Sequence, residues 1–250
     1  MNMFGTKKDY FKLFNKHYEN KSYSKADAIA RKAFANKKSD EGTLASIAGS
    51  IYELKLTSSF DLLEEFVYMF PNSLHAIRPQ LSDLLARSGS YDDATEEARI
   101  YLRLIYNNSM LNKLSEDSII QYGVSKAFLL VTSSYTELGS RSYSKAILTM
   151  ALEYDLTEKS KNWILYEIKR LNEELLDAKN FKLDTLWSNF FDGGANTTAL
   201  YEHCNNSGFP RMAKRVDLIE SNFRYNSDYS ISAESVFDLV TEYDDAFVLI

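Results

Sequence analysis

The sequence predicts an all-α chain built from stacked helix pairs, and three observations lead there. Proline and glycine are sparse, 3 and 9 in 250 residues, which leaves long stretches without the residues that break helices or form tight turns. The pentapeptide SYSKA occurs at Ser22–Ala26 and again at Ser142–Ala146, with the near-copy SYDDA at Ser90–Ala94. After each copy, small or apolar residues recur at steps of three and four, the spacing that puts side chains on one face of a helix.

Taken in order, the first unit is YFKLFNKHYENKSYSKADAIARKAF, an amphipathic helix, a turn, and a second helix carrying Tyr23, Ala26, Ala30 and Ala33 on one face. The next, AGSIYELKLTSSFDLLEEFVYMFP, keeps Gly49 and Tyr52 in its first helix but lacks the alanine pattern in its second. LSDLLARSGSYDDATEEARIYLRLI restores it with Gly89, Tyr91, Ala94, Ala98 and Tyr101. SSYTELGSRSYSKAILTMALEY gives Tyr143, Ala146 and Met150 on the same spacing. Small residues let a neighbouring helix approach, and each Tyr sits just ahead of its helix. Ser24, Asp92 and Ser144 come next, where a short oxygen-bearing side chain caps the free N–H groups. From Tyr23 to Tyr91 is 68 residues, twice 34; from Tyr91 to Tyr143 is 52, so about 18 extra residues, roughly NNSMLNKLSEDSIIQYG, lengthen that unit. A period in this range is the mark of a helical solenoid.

These half-units, Tyr-x-x-Ala-x-x-x-small-x-x-Ala/Tyr after a Gly- or Lys-containing turn, resemble the second half of a tetratricopeptide repeat. The resemblance covers three half-repeats and, loosely, residues 8–155. Phe14 stands where that family's first helix usually has a small residue, and Pro71 is the single proline placed to close a repeat. The resemblance implies a right-handed α-solenoid of helix-turn-helix repeats over 1–155, with 156–250 as a C-terminal helical cap. The alternative is a helical bundle in which the SYSKA copies are coincidental. It also implies a concave groove lined by first helices, a surface for a partner protein or peptide. On that groove it places Lys8, Phe11, Asn15, Tyr18 and Glu19 from the first repeat, Tyr52 and Glu53 from the second, and Asp83 and Arg87 from the third. Some members clamp a terminal carboxylate there with Lys and Asn; Asn15 falls at the clamp's Asn position, while Phe11 stands where Lys is frequent.

Beyond the third copy, TEKSKNWILYEIKRLNEELLDAKN carries an apolar stripe of Ile164, Ile168, Leu171 and Leu175 and starts the cap. FKLDTLWSNFF stops at Gly193-Gly194. ALYEHCNN is a short helix, and RMAKRVDLIESNFRY is another, with Met212, Val216, Ile219 and Phe223 on one side. The chain ends on Phe247-Val248-Leu249-Ile250, four apolar residues expected to dock on the cap itself, on a partner or on a second copy.

Chemistry is thin. The single cysteine, Cys204, forms no internal disulfide, which fits a reducing compartment. The start has no apolar run of signal-peptide length, and no uncharged stretch approaches a membrane span. The expected location is therefore cytoplasmic, and the N-x-S/T matches at Asn20, Asn107, Asn196 and Asn205 are read as chance. His17, His75 and His203 are far apart, with no HExxH, CxxC, Walker or GxGxxG pattern, so no metal, cofactor or enzymatic activity is expected. His203-Cys204 is the nearest approach to a nucleophile and its base. Net charge is −6, with a basic start and an acidic last thirty residues; with no nucleic-acid motif present, nucleic acid is not the expected partner. The expected function is non-enzymatic protein binding. The alternative is a dedicated inhibitor, an immunity protein or antitoxin whose acidic surface covers a basic toxin such as a nuclease.

Overall fold

The computed structural model describes residues 9–36, 39–108, 118–191 and 197–225. Among them the chain is all-α, with twelve helices and no strand. They are α1 (Tyr10–Glu19), α2 (Tyr23–Ala35), α3 (Glu41–Glu53), α4 (Ser59–Met69), α5 (Ile77–Arg87), α6 (Tyr91–Asn107), α7 (Ser118–Glu137), α8 (Arg141–Ala151), α9 (Glu158–Glu174), α10 (Ala178–Phe191), α11 (Thr197–Asn206) and α12 (Pro210–Tyr225). Lys8, the Gly193-Gly194 stop, most of the inserted stretch and the apolar terminus lie outside the described residues.

One turn, used five times, makes the helices come in pairs. Lys21, Lys55, Gly89, Gly139 and Gly208 all take left-handed backbone, with φ of 53, 54, 88, 85 and 82°. In each case the next residue donates its N–H five residues back: Ser22 to His17 (2.8 Å), Leu56 to Ile51 (3.3 Å), Ser90 to Leu85 (2.9 Å), Ser140 to Tyr135 (2.8 Å) and Phe209 to Cys204 (2.9 Å). This bonding ties off helix carbonyls that would otherwise have no partner. The first three turns, at residues 21, 55 and 89, are 34 residues apart.

The turn also sets the register of the next helix. Helices begin two residues after it at Tyr23, Tyr91, Arg141 and Pro210. Five residues after it stands a buried small side chain: Ala26, Ala94, Ser144 or Ala213. This differs from the register expected for the second SYSKA. Its Ala146 and Met150 are half-buried, and the packed face of α8 is Tyr143, Ser144, Ile147, Leu148 and Ala151. The pentapeptide has slid two residues along its helix relative to the first copy. The buried Tyr143, edge-on to Tyr135 at 4.7 Å, holds it there.

The caps differ as well. Ser24 and Ser144 lie inside their helices. The Ser144 hydroxyl donates to the Thr132 carbonyl at 2.9 Å and accepts from Thr136 at 3.1 Å. Helix starts are capped by neighbours instead. Asp184 of α10 accepts the Ser142 N–H of α8 at 2.7 Å, and Asp92 of α6 accepts the Arg211 N–H of α12 at 3.0 Å. Short-range caps do occur at Asp9, Asp40 and Thr157.

From α1 to α9 each helix packs on its successor, as do α10 on α11 and α11 on α12, and alternate helices touch: α1 on α3, α3 on α5, α5 on α7 and α7 on α9 form one row. On the other side α2 touches α4, while α10 lies on α8 and α12 on α6. One core cluster gathers α1–α5 around Phe14, Phe34, Ile47, Ile51 and Phe66. The other gathers α6–α12 around Tyr101, Phe128, Tyr135 and Trp187. In α9, Ile164 and Leu171 are buried and Ile168 packs beside them, while Leu175 stays half-exposed.

Candidate functional site

The row α3, α5, α7, α9 borders an open cavity of about 650 Å³. Tyr52 and Glu53 of α3, Asp83 and Arg87 of α5, Tyr122 and Lys126 of α7, Trp163 of α9 and Phe60 of α4 line it. A second cavity of about 550 Å³ reaches towards α1, between Tyr18, Gly49, His75, Gln80 and Ile119. Glu53 and Tyr122 line both, so the two cavities adjoin along the row.

Helix geometry explains how these side chains converge. Asp83 with Arg87, and Tyr122 with Lys126, are four residues apart, so each pair stands one above the other on a single helix face. Gly49 of α3 faces the Gln80 amide of α5, which a methyl group there would meet at 3.5 Å, an ordinary contact.

Asp83 is the hub. It accepts from the Tyr52 hydroxyl at 2.6 Å, pairs with Arg87 Nη2 at 2.7 Å, and lies 3.5 Å from Lys126 Nζ. Lys126 donates to the Tyr52 hydroxyl and lies 3.4 Å from that of Tyr122. Its ammonium position is 4.7 Å from the Tyr52 ring centroid and 5.6 Å from that of Tyr122, within cation–π range. A cation 7 % exposed is tolerated because a carboxylate, a hydroxyl and two ring faces surround it. Burial pushes the Lys126 pKa down, and Asp83 opposes but does not cancel that shift. Burial, then the bond to Asp83, raises the Tyr52 phenol well above its ordinary range. Burial, with Glu53 and Asp83 nearby, raises Tyr122 too.

Of the residues expected on the groove, Tyr52, Glu53, Asp83 and Arg87 line the larger cavity, and Tyr18 with Glu53 lines the smaller. Phe11 is exposed and Asn15 half-buried on α1, and Glu19 is exposed at its end; none of the three lines either cavity. Lys8 lies outside the described residues. Sequence reasoning missed Phe60, Tyr122, Lys126 and Trp163. A signal for Lys126 existed, since it stands 13 residues before the Gly139 turn, as Lys8 stands 13 before Lys21. Aligning on Tyr143 rather than on the turn hid it.

The His203–Cys204 pair is not arranged for attack. His203 Nε2 is 2.9 Å from the Leu138 carbonyl, and the Cys204 thiol is buried, its pKa pushed up to about 12 by desolvation, with Asp92 adding to it. Among the described residues no group of three or more His, Cys, Asp or Glu is placed to hold a metal ion, and no helix is long and apolar enough to cross a membrane. Compared with known proteins, the chain matches no family model, and no curated protein or solved structure is significantly similar to it.

Proposed function

We propose that this protein is a non-enzymatic binding module, a tetratricopeptide-like solenoid that holds an extended segment of a partner protein across the row α1, α3, α5, α7 and α9. The 34-residue spacing of its first three turns and the i, i+2 contacts of its first helices support the solenoid arrangement. The observation that carries the binding role is a pair of adjoining cavities, the larger of which exposes Phe60 (37 %), Tyr122 (43 %) and Trp163 (49 %) around a polar floor. Exposed aromatic rings around a polar network are the composition of energetic centres in protein interfaces, because each ring buries a large area at small entropic cost. One Asp83 oxygen already holds Tyr52 and Arg87 and lies beside Lys126, so the floor is preorganised rather than waiting for a ligand to order it.

The test is site-specific photo-crosslinking. A photoreactive residue replacing Tyr122 is expected to capture a polypeptide in the cells that make this protein. The same residue replacing Tyr68, a solvent-exposed position on α4, is expected to capture none. Equal capture at both positions contradicts the groove. The salt dependence of the captured complex separates it from a charge-steered inhibitor, whose association slows strongly as salt rises.

A further inference from the structure

We propose that Lys126 is a nucleophilic lysine, binding a small aldehyde or ketone with an aromatic body as a reversible imine at the floor of the 650 Å³ cavity. The site shares Phe60, Tyr122 and Trp163 with the proposed groove, and it is tested on the chain alone, so its failure leaves the partner-binding reading standing. Three features of the geometry point to it.

First, Lys126 is the one lysine buried among the described residues; the others are exposed or half-exposed. Yet its side chain lines an open cavity large enough for an aromatic molecule. Second, the carboxylate it pairs with, Asp83, is shared. Asp83 spends its closer contacts on Tyr52 at 2.6 Å and Arg87 at 2.7 Å, leaving Lys126 at 3.5 Å. Burial and the Arg87 guanidinium both favour the neutral amine, against Asp83 and Glu53; a desolvated lysine beside another cation is the arrangement that activates lysine nucleophiles. Third, the Tyr52 hydroxyl that Lys126 contacts stays protonated and is bonded in turn to Asp83, so a proton relay adjoins the nitrogen.

The chemistry balances without any further reagent. The Nζ lone pair forms a C–N bond to the carbonyl carbon while the C=O π pair moves to oxygen. Nitrogen loses a proton and oxygen gains one, giving a carbinolamine. The C–O bond then breaks, the hydroxyl leaves with the remaining nitrogen proton as water, and the imine remains. Tyr52, with Asp83 behind it, is placed to pass these protons as a positioning residue. Tyr52, Tyr122, Phe60 and Trp163 supply ring faces for the ligand body, and Arg87 at the rim favours an acidic substituent.

The experiment treats the full chain with 4-carboxybenzaldehyde and cyanoborohydride across a pH series, and maps adducts by peptide mass spectrometry. The expected result is one dominant adduct, on Lys126, forming at pH values where the exposed lysines are still protonated and unreactive. It is lost in Lys126→Arg, while Tyr52→Phe slows its formation and displaces its pH profile. Adducts spread over the exposed lysines, with Lys126 unmodified in the folded protein and labelled only after denaturation, overturn the proposal. The wild-type map decides the matter even if a variant fails to fold.

Discussion

A methyl group added at Gly123 would lie 2.6 Å from the Tyr101 hydroxyl and 2.9 Å from the Ala76 side chain, closer than packed atoms approach. Gly123 therefore sets how near α7 comes to α5 and α6, at the seam of the two core clusters. Gly123→Ala is expected to lower stability by about 1–3 kcal/mol, the usual result of overpacking, read as a shift in denaturant midpoint. Gly139 is constrained twice, by its φ of 85° and by Leu183, whose Cβ would be 2.8 Å from an added methyl. At Tyr52 the ring is packed, but its hydroxyl links Asp83 to Lys126. Tyr52→Phe is expected to cost about 1–3 kcal/mol, because it leaves a buried donor and acceptor without their shared partner. Thermal melting checks this; an unchanged midpoint would mean the network is idle. Tyr52 was singled out in the sequence as a groove residue, whereas Gly123 was not conspicuous there. Gly123 sat in a stretch read as insertion, and its importance depends on a helix crossing that no local pattern encodes.

At the scale of the element, α12 shows how much of the fold depends on distant charge pairs. Arg211 reaches Asp93 at 3.0 Å, and Arg215, with a side chain 9 % exposed, pairs with Glu96. Burial would raise the Glu96 pKa, but Arg215 and then Arg99 outweigh it and hold it below the ordinary value. A depressed carboxyl pKa gives stability that is present above the unfolded value and is lost as pH falls through the folded one. Glu97 and Asp92 behave oppositely. Burial raises both despite their partners Arg78 and Arg211, so their protonation relieves buried charge first. Melting temperature is thus expected to fall only below the ordinary glutamate range, and Glu96→Gln to flatten that acid limb. Arg215→Met is expected to cost roughly 2–4 kcal/mol, because it strands a largely buried carboxylate. Helices and turns were legible locally: the 3-and-4 spacing marked the helices, and Gly89 marked its turn. Where α12 packs was not legible, since Asp92 and Arg211 are 119 residues apart. Nor was the register of α8, because the SYSKA at 142–146 repeats the letters of 22–26 two residues out of step with its turn.

For the whole molecule, the row of alternate helices is what matters, and the part of it that the sequence revealed is instructive. Tyr52, Glu53, Asp83 and Arg87 were placed on the groove by the tetratricopeptide resemblance, counting from the repeated Tyr, and they do meet in one cavity. Tyr122, Lys126 and Trp163 complete it from α7 and α9, beyond the lengthened unit where that count fails. Phe60, Tyr122 and Trp163 are hydrophobic side chains left substantially in water at the cavity rim, an arrangement that costs solubility unless something covers them. Replacing all three by alanine is expected to lower the melting temperature without unfolding the chain, since each ring is still more than half buried. It is also expected to remove most of the affinity for a bound segment, as loss of aromatic anchors does. The most direct measurement is titration calorimetry of the full chain with peptides selected against it from a random library. The account predicts that binding to the Phe60→Ala/Tyr122→Ala/Trp163→Ala variant weakens by about a hundredfold or more, equivalent to the loss of one strong interface anchor, while Tyr68→Ala binds as wild type does. Equal affinity for the triple variant and the wild-type chain would place the binding surface elsewhere and contradict the groove.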